Sequence, residues 1–168
     1  MFSGVGGFDL SLNINGFKCV GYSEIDRYAE AIYKYNFGKE VRNFGDATKI
    51  NPRELPDFDL LVGGVPCQSW SIAGKRKGFD DSRGIMWFEV FRILEVKKPK
   101  YVLLENVKNL LSHDNGKSFE KILECLCDIG YIVDFTILNS KYYGVPQNRQ
   151  RIFILCIRKD YLDKSEII

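Results

Sequence analysis

The sequence predicts an α/β protein built on a doubly wound, mostly parallel sheet. Short apolar runs typical of strands alternate with amphipathic helical stretches along the 168 residues, and this order favours parallel strands joined by helices. Turns rich in glycine or proline separate the elements. The length fits one domain, and only the last strands are expected to be antiparallel.

The first half of the chain contains a glycine-rich turn followed by alternating helices and strands. Asn15 and Gly16 end the first helix, because apolar residues stop recurring at helical spacing there. The elements that follow are a strand over residues 17–23, a helix over residues 27–37, a short strand over residues 41–44 and a buried strand at residues 60–62.

In the second half the same alternation continues. A helix is predicted to end before Pro99, and Gly130 is expected to cap another at its C-terminus. The predicted elements are a helix over residues 86–97, a strand over residues 101–104 ending at Glu105, a helix over residues 117–129, and strands over residues 131–138 and 151–157.

Composition excludes several classes of protein. No apolar run approaches the ~18 residues of a membrane helix, so we expect a cytoplasmic protein with no membrane partner. Five cysteines at irregular spacing argue against a disulfide framework. One histidine and no Cys-x-x-Cys pair predict that no metal is bound. The net charge of +2 neither requires nor excludes nucleic acid.

Three features fall at successive strand ends, where open α/β sheets place their ligands. Gly4, Gly6 and Gly7 form a turn that lets a ligand approach the backbone at a helix N-terminus. Glu24 lies about where a carboxylate reaches ribose hydroxyls, and Asp46 can accept a hydrogen bond from an adenine amino group. Together they predict a nucleoside-containing cofactor, although capping is the simpler role for Asp46 alone.

Cys67 lies in the turn just past the predicted strand at residues 60–62. A lone cysteine in such a stretch is more often inert than reactive. Pro66 fixes the backbone before it, and Glu105 ends the next strand, so both side chains can meet in one pocket. A nucleophilic cysteine with an acid partner is therefore one interpretation, beside an inert thiol and a solvated carboxylate.

The order and approximate spacing of these motifs resemble those of the DNA cytosine-5 methyltransferases, above all bacterial restriction-modification enzymes. The matching motifs are Phe2-Ser3-Gly4-Val5-Gly6-Gly7, Glu24, Gly45-Asp46, Pro66-Cys67-Gln68, Glu105-Asn106-Val107 and Gln147-Asn148-Arg149-Gln150-Arg151. The resemblance runs over essentially the whole chain. It implies a Rossmann-like methyltransferase fold that binds S-adenosylmethionine.

By this resemblance, Cys67 adds to C6 of a cytosine that is flipped out of duplex DNA, and the methyl group goes to C5. Glu105 then acts at the N3 edge of the base, and Arg151 is assigned to the O2 edge. Residues 68–84 resemble the closing loop of the family. The residues implied to line the cofactor site are Phe2, Gly4, Gly6, Gly7, Glu24, Ile25, Asp46, Ala47, Pro66 and Met86.

The sequence departs from the family pattern in three places. Only Met1 precedes the Phe2 turn, so the first strand is expected to be truncated, and the chain ends shortly after Arg151, before a target-recognition domain. Ile25 stands where the family often has an aromatic residue. We therefore expect residues 1–168 to be a single catalytic domain, incomplete at both ends relative to the family.

Alternatives to an active DNA methyltransferase stay open on the sequence. They are a non-catalytic remnant, one subunit of a split enzyme whose second polypeptide recognises the DNA, and an RNA cytosine-5 methyltransferase. An NAD-dependent dehydrogenase is the most distant alternative, because Asp9 replaces the third glycine of the dinucleotide fingerprint.

Overall fold

Four strands form one mixed sheet in the part of the chain that the structure describes, residues 1–66 and 85–162. In this computed structural model the spatial order is β1-β2-β4-β3. The strands are β1 (Leu60–Gly64), β2 (Tyr101–Val107), β3 (Tyr131–Asn139) and β4 (Gln150–Arg158). β1 and β2 are parallel, whereas β4 is antiparallel to both of its neighbours. Cys67 and residues 68–84 lie outside the described residues.

The helices are α1 (Gly7–Ile14), α2 (Arg27–Phe37), α3 (Ile85–Lys97) and α4 (Lys117–Ile129). They lie close to the positions that the sequence predicts, which confirms the α/β class. Asp26 caps α2 by accepting hydrogen bonds from two backbone N–H groups, and Gly130 ends α4 with a φ of 110°. Among the described residues, no helix combines the length and apolarity needed to cross a membrane.

The predicted strands at residues 17–23 and 41–44 are reduced to a single parallel bridge between Tyr22 and Asn43. Tyr22 N–H donates to the Arg42 carbonyl and Phe44 N–H donates to the Tyr22 carbonyl. A strand needs a continuous ladder, and here the pairing stops after these two bonds. The described sheet is therefore mixed, where the sequence predicts a mostly parallel one.

β2 is longer than predicted, and this changes the position of Glu105. The strand continues to Val107, with Glu105 opposite Gly64 of β1 on one side and Phe153 of β4 on the other. Glu105 therefore lies inside a strand and not at its end. Because both neighbouring strands bond to it, its backbone is held firmly.

The core lies between the sheet and the helices α3 and α4. Fully buried side chains include Val90, Ile93 and Leu94 of α3, and Ile122 and Leu126 of α4. They pack against buried sheet residues, which are Val102, Leu104, Tyr131, Ile152, Ile154 and Cys156. Burial of this apolar surface is the main favourable contribution to folding.

The amino terminus lies beside β1. The Met1 ammonium donates a hydrogen bond of 2.6 Å to the Val62 carbonyl, on the edge of β1 that faces away from β2. Burial of the ammonium lowers its pKa from 8.0 to about 6, although the negative charge of Asp9 opposes the shift. The Met1 ammonium therefore bonds to the edge of β1 that β2 leaves free.

Replacing Leu126 with alanine should lower the free energy of unfolding by roughly 2–5 kcal/mol, since it leaves a cavity in the core. Leu126 is fully buried, whereas Leu10 of α1 is 57% exposed. Leu10→Ala is therefore the matched control, with an expected loss under ~0.5 kcal/mol. Urea unfolding followed by circular dichroism measures both. Equal losses in the two variants would contradict this core.

The free energy of unfolding should rise with pH between about 6 and 8. The folded amine has a pKa of about 6 and the unfolded amine one near 8.0, so the unfolded chain binds more protons in this window. The rise should be about 2 kcal/mol. Urea unfolding at a series of pH values measures it. Acetylation of Met1 removes the titrating group. If the free energy of unfolding rises equally with pH in the acetylated chain, another group causes the rise.

Candidate active site

The glycine-rich turn before α1 is held in an unusual backbone conformation. Gly4 and Gly6 have φ values of 54° and 93°, in the left-handed region. A side chain on Gly6 would also collide with the ring of Phe37, since its Cβ would lie 2.2 Å from Cε2. Phe2 shares the positive φ, at 52°. These constraints fix the turn where it enters α1, with its first N–H groups unused by the helix.

Glu24 holds the glycine turn to the segment before α2. Its Oε2 accepts a hydrogen bond of 2.7 Å from Gly4 N–H, and its Oε1 accepts from the N–H groups of Ile25 and Asp26 at 2.9 and 2.8 Å. A carboxylate has about four acceptor positions, so roughly one remains for a ligand. Glu24 thus holds the glycine turn in position, whether or not its carboxylate also binds a ligand.

Asn43 connects Glu24 to the loop that carries Asp46. The Asn43 side chain accepts from the N–H groups of Glu24 and Gly45 at 3.1 and 2.9 Å, and donates to the Glu24 carbonyl at 2.9 Å. Ser23 adds a bond of 2.6 Å from its hydroxyl to the Gly45 carbonyl. The predicted cofactor residues of two separate loops are therefore joined by one amide side chain.

Asp46 caps a short 3-10 helix, Ala47–Lys49. Its Oδ1 accepts from the backbone N–H and the hydroxyl of Thr48 at 3.0 and 2.8 Å. These hydrogen bonds hold the pKa of Asp46 below its usual value. The capping role that the sequence favours for Asp46 alone is confirmed, and a role in cofactor binding stays a prediction.

Arg92 of α3 supports this loop from behind. Its guanidinium donates to the carbonyls of Ile50 and Ala47 at 2.6 and 3.0 Å and pairs with Glu89. Two aliphatic residues directly follow the predicted cofactor carboxylates in the sequence. Ala47, after Asp46, is buried, whereas Ile25, after Glu24, is 75% exposed. The two aliphatic side chains therefore offer different surfaces to a ligand.

Glu105 and Arg151 form an ion pair beside the end of β1. Arg151 Nε lies 2.9 Å from Glu105 Oε1, and the two side chains are 22% and 23% exposed. Glu105 Oε2 lies over Gly64, at 3.4 Å from the position a Cβ there would take. Oε2 has no hydrogen-bond partner among residues 1–66 and 85–162, so it can bond to a ligand.

Asn106 fixes the backbone that leads into Cys67. It is 2% exposed, and its Nδ2 donates to the Val65 carbonyl at 3.0 Å while its Oδ1 accepts from Val107 N–H at 2.8 Å. Val65 N–H also donates to the Glu105 carbonyl at 3.1 Å. The last described residues before Cys67 are thus tied to the strand that carries Glu105.

The structure brings the predicted residues to one edge of the sheet in two groups. The first holds the glycine turn, Glu24 and the Asp46 loop, and the second holds Glu105 and Arg151. Met1 joins them, because its carbonyl oxygen lies 3.0 Å from the position of a Cβ on Gly63, near the end of β1. Pro66 and Met86 flank the undescribed residues and are both half-buried.

The sequence reasoning misses Asn43 and Arg92, and it names Asn106 only as part of the Glu105-Asn106-Val107 motif, without its structural role. Each is a polar side chain that bonds to a distant backbone group. For Asn106 the detectable signal is a polar residue beside Glu105 in the otherwise apolar strand β2. Within the described ranges, no group of three or more His, Cys, Asp or Glu side chains is arranged to hold a metal ion.

Comparison with known proteins identifies relatives along almost the entire chain. The family model for C-5 cytosine-specific DNA methylase matches residues 1–167. The orphan methyltransferase M.SPRI of Bacillus phage SPR is 47% identical over 169 aligned residues, which cover 99% of this chain and 38% of that protein. The type II methyltransferase M.HhaI of Haemophilus parahaemolyticus is 46% identical, with 95% of this chain and 48% of that protein covered.

Solved structures share the fold. The Entamoeba histolytica methyltransferase EhMeth is 26% identical, with a TM-score of 0.76 over 99% of this chain and 53% of that chain. The chain thus spans about half the length of the solved structure, and less than half of M.SPRI and M.HhaI.

Replacing Asn106 with alanine should lower the free energy of unfolding by about 2–4 kcal/mol, because it leaves the buried Val65 carbonyl and Val107 N–H without partners. Asn106→Asp keeps the acceptor for Val107 but loses the donor to Val65, and it buries a carboxyl group. It should therefore also be destabilised. Asn109→Ala, at an exposed position, is the control. Urea unfolding that places Asn106→Ala within ~0.5 kcal/mol of this control would contradict the role of Asn106.

Proposed function

The chain belongs to the C-5 cytosine-specific DNA methylase family, and we propose that it carries the catalytic part of a DNA cytosine-5 methyltransferase. The observation that carries this proposal is the Glu105–Arg151 pair. It lies beside the backbone that Asn106 ties down just before Cys67. An acid and a cation beside the backbone that precedes a cysteine in the sequence supply groups that addition to a pyrimidine ring requires.

Cys67 acts as the nucleophile. Cytosine C5 is a poor nucleophile, but addition of the Cys67 thiolate to C6 pushes an electron pair toward C5 and makes it enamine-like. With S-adenosylmethionine bound, its sulfonium C–S bond would break as the methyl group bonds to C5, and the donor would leave as a neutral thioether. Solvent water then accepts the C5 proton as the Cys67 sulfur leaves C6. The ring regains its conjugation as 5-methylcytosine, and the thiolate is restored.

Glu105 and Arg151 stabilise the negative charge that develops on the ring. Oε2 of Glu105 has no partner in the described part of the chain, so the carboxyl group can bond the N3 edge and the exocyclic amine of cytosine. Arg151 holds Oε1 at 2.9 Å and uses one further N–H on the Gln150 carbonyl. Its remaining N–H groups are available to the O2 edge, onto which the developing charge is delocalised through N3.

The glycine turn and the two carboxylates fit a nucleoside-containing cofactor. S-adenosylmethionine, when bound, supplies an electrophilic methyl group. Gly4 and Gly7 have open space where a side chain would lie, so a ligand can contact their backbone directly. Glu24 keeps roughly one acceptor position for a ribose hydroxyl. Asp46 Oδ2 lies 3.6 Å from the exposed Lys49 ammonium and accepts no backbone hydrogen bond among the described residues.

The substrate is a cytosine flipped out of duplex DNA. The target atoms of a paired cytosine are hidden in the base stack, so a pocket of this kind needs the base to leave the duplex. The chain spans less than half of M.SPRI and M.HhaI. We therefore assign the choice of DNA sequence to residues other than these 168, either in the same polypeptide or in a second polypeptide that acts with it.

Duplex DNA containing 5-fluorocytosine should form a covalent adduct with the protein when S-adenosylmethionine is present. Fluorine at C5 cannot leave as a proton would, so the Cys67 sulfur stays bonded to C6. A gel shift that survives denaturation detects the adduct. The assay is run on this chain alone and together with the product of any adjacent reading frame. Cys67→Ser should abolish the adduct.

Cys127→Ser is the control, because Cys127 is an exposed cysteine on α4. The Cys127→Ser protein should still form the adduct through Cys67. Glu105→Gln should slow adduct formation by roughly 100-fold or more, the range for loss of an acid catalyst. An adduct that persists in Cys67→Ser, or its absence in every preparation, would count against this mechanism. A tRNA substrate tested in parallel separates DNA from RNA methylation.

A further inference from the structure

Asp9 is a buried carboxylate that the proposed mechanism does not use. It is the third residue of α1 and is only 8% exposed. Its Oδ1 accepts a hydrogen bond of 2.8 Å from the hydroxyl of Tyr33, which is fully buried on α2. A buried carboxylate is costly unless it is hydrogen-bonded. This contact therefore ties α1 to α2 directly after the glycine turn.

The hydroxyl of Tyr33 stays a proton donor at neutral pH. Burial of the hydroxyl, together with its contacts to Cys19 and Asp9, raises the pKa of Tyr33. Cys19 Sγ lies 3.7 Å from the phenolic oxygen, whereas Asp9 Oδ1 lies at 2.8 Å. A tyrosine has a single proton to donate, and here it is directed to Asp9.

Tyr33 also contacts the aromatic rings beside the glycine turn and beside Glu24. Its ring stacks on Tyr22, with centroids 3.9 Å apart and planes inclined by 20°, and packs at a tilt on Phe37 at 4.8 Å. The Phe37 ring lies against Gly6, where a Cβ would be 2.2 Å from Cε2. Tyr22 precedes Glu24 by two residues. Tyr33 therefore touches the segment that carries Glu24 and also the ring beside Gly6.

The start of α1 has no side-chain cap that could take over this role. Gly6 precedes the helix with a φ of 93° and has no side chain to accept from the first N–H groups. These N–H groups stay open to a ligand only if other contacts hold the helix end in place. Asp9 lies within this first turn, so its bond to Tyr33 restrains the direction in which they point.

We propose that Tyr33 is a positioning residue for the cofactor, because its ring and its hydroxyl together hold the glycine turn at a fixed distance from Glu24. The inference rests on the proposed function, in which these two groups bind S-adenosylmethionine. Tyr33 is fully buried, so it acts through the turn and not by touching the ligand. Loss of its hydroxyl should weaken cofactor binding and loosen the bond of 2.7 Å from Gly4 to Glu24.

The test begins with Tyr33→Phe, which removes the hydroxyl and keeps the ring stack. In the unliganded chain the Gly4 amide, which donates to Glu24, should exchange with solvent at least ~10-fold faster in this variant. The Kd for S-adenosylmethionine, measured by isothermal titration calorimetry, should rise by roughly 10-fold or more. Unchanged exchange at Gly4 would overturn the inference.

Tyr131→Phe is the matched control. Tyr131 is also fully buried, and its hydroxyl donates to the Pro99 carbonyl at 2.8 Å, near the start of β2 and away from the site. This variant should lower the melting temperature about as much as Tyr33→Phe, yet leave Gly4 exchange and the Kd within ~2-fold of the unaltered chain. Equal changes in the two variants would make Tyr33 a stabilising residue only and would contradict the proposal.

Asp9→Asn and Asp9→Ala test the acceptor. Asparagine keeps an oxygen for the Tyr33 hydroxyl, so Asp9→Asn should retain the Gly4 exchange rate and the Kd, whereas Asp9→Ala should match Tyr33→Phe. Equal losses in both Asp9 variants would assign the effect to the charge of Asp9 and overturn the role of Tyr33. If the unaltered chain binds no S-adenosylmethionine, the proposed function loses its cofactor, while the exchange of Gly4 still decides whether Tyr33 positions the turn.

Discussion

The parallel pairing of β1 with β2 is the interaction on which the site depends. It places Gly64 opposite Glu105, and the Glu105 carboxylate lies over Gly64, with Oε2 3.4 Å from the position that a Cβ there would take. The same pairing continues into the turn, where Val65 bonds to the Glu105 backbone. Because Asn106 adds a side-chain bond to the Val65 carbonyl, one short stretch of β2 carries the acid and holds the backbone at Val65, two residues before Cys67 in the sequence.

Polar side chains replace regular structure on the other half of the site. Residues 17–23 and 41–44 form only one bridge, so the ladder cannot hold their loops. Glu24, Asn43 and Ser23 instead bond to backbone groups across the gaps. Such bonds are strong where they are shielded from water, and they keep the glycine turn and the Asp46 loop in fixed relation.

The sequence predicted the helices more accurately than the strands. The bounds of α2 and α4 match the periodicity of their apolar residues, and Gly130 ends α4 as expected. A helix forms its hydrogen bonds within a few residues, so its signal is local. The strand predicted at residues 17–23 has suitable residues, yet a strand forms only if a distant segment pairs with it. Local sequence patterns do not identify which segment that is.

By itself, the sequence determined the family and the chemical character of the site, because motifs such as Pro66-Cys67-Gln68 and Glu105-Asn106-Val107 are read from residue type and order. Only the tertiary structure decided that Glu105 pairs with Arg151, that Asn106 supports the turn before Cys67, and that a cavity borders β1. Each of these joins residues far apart in the chain. Their distances depend on strand register and packing, which no single stretch of sequence specifies.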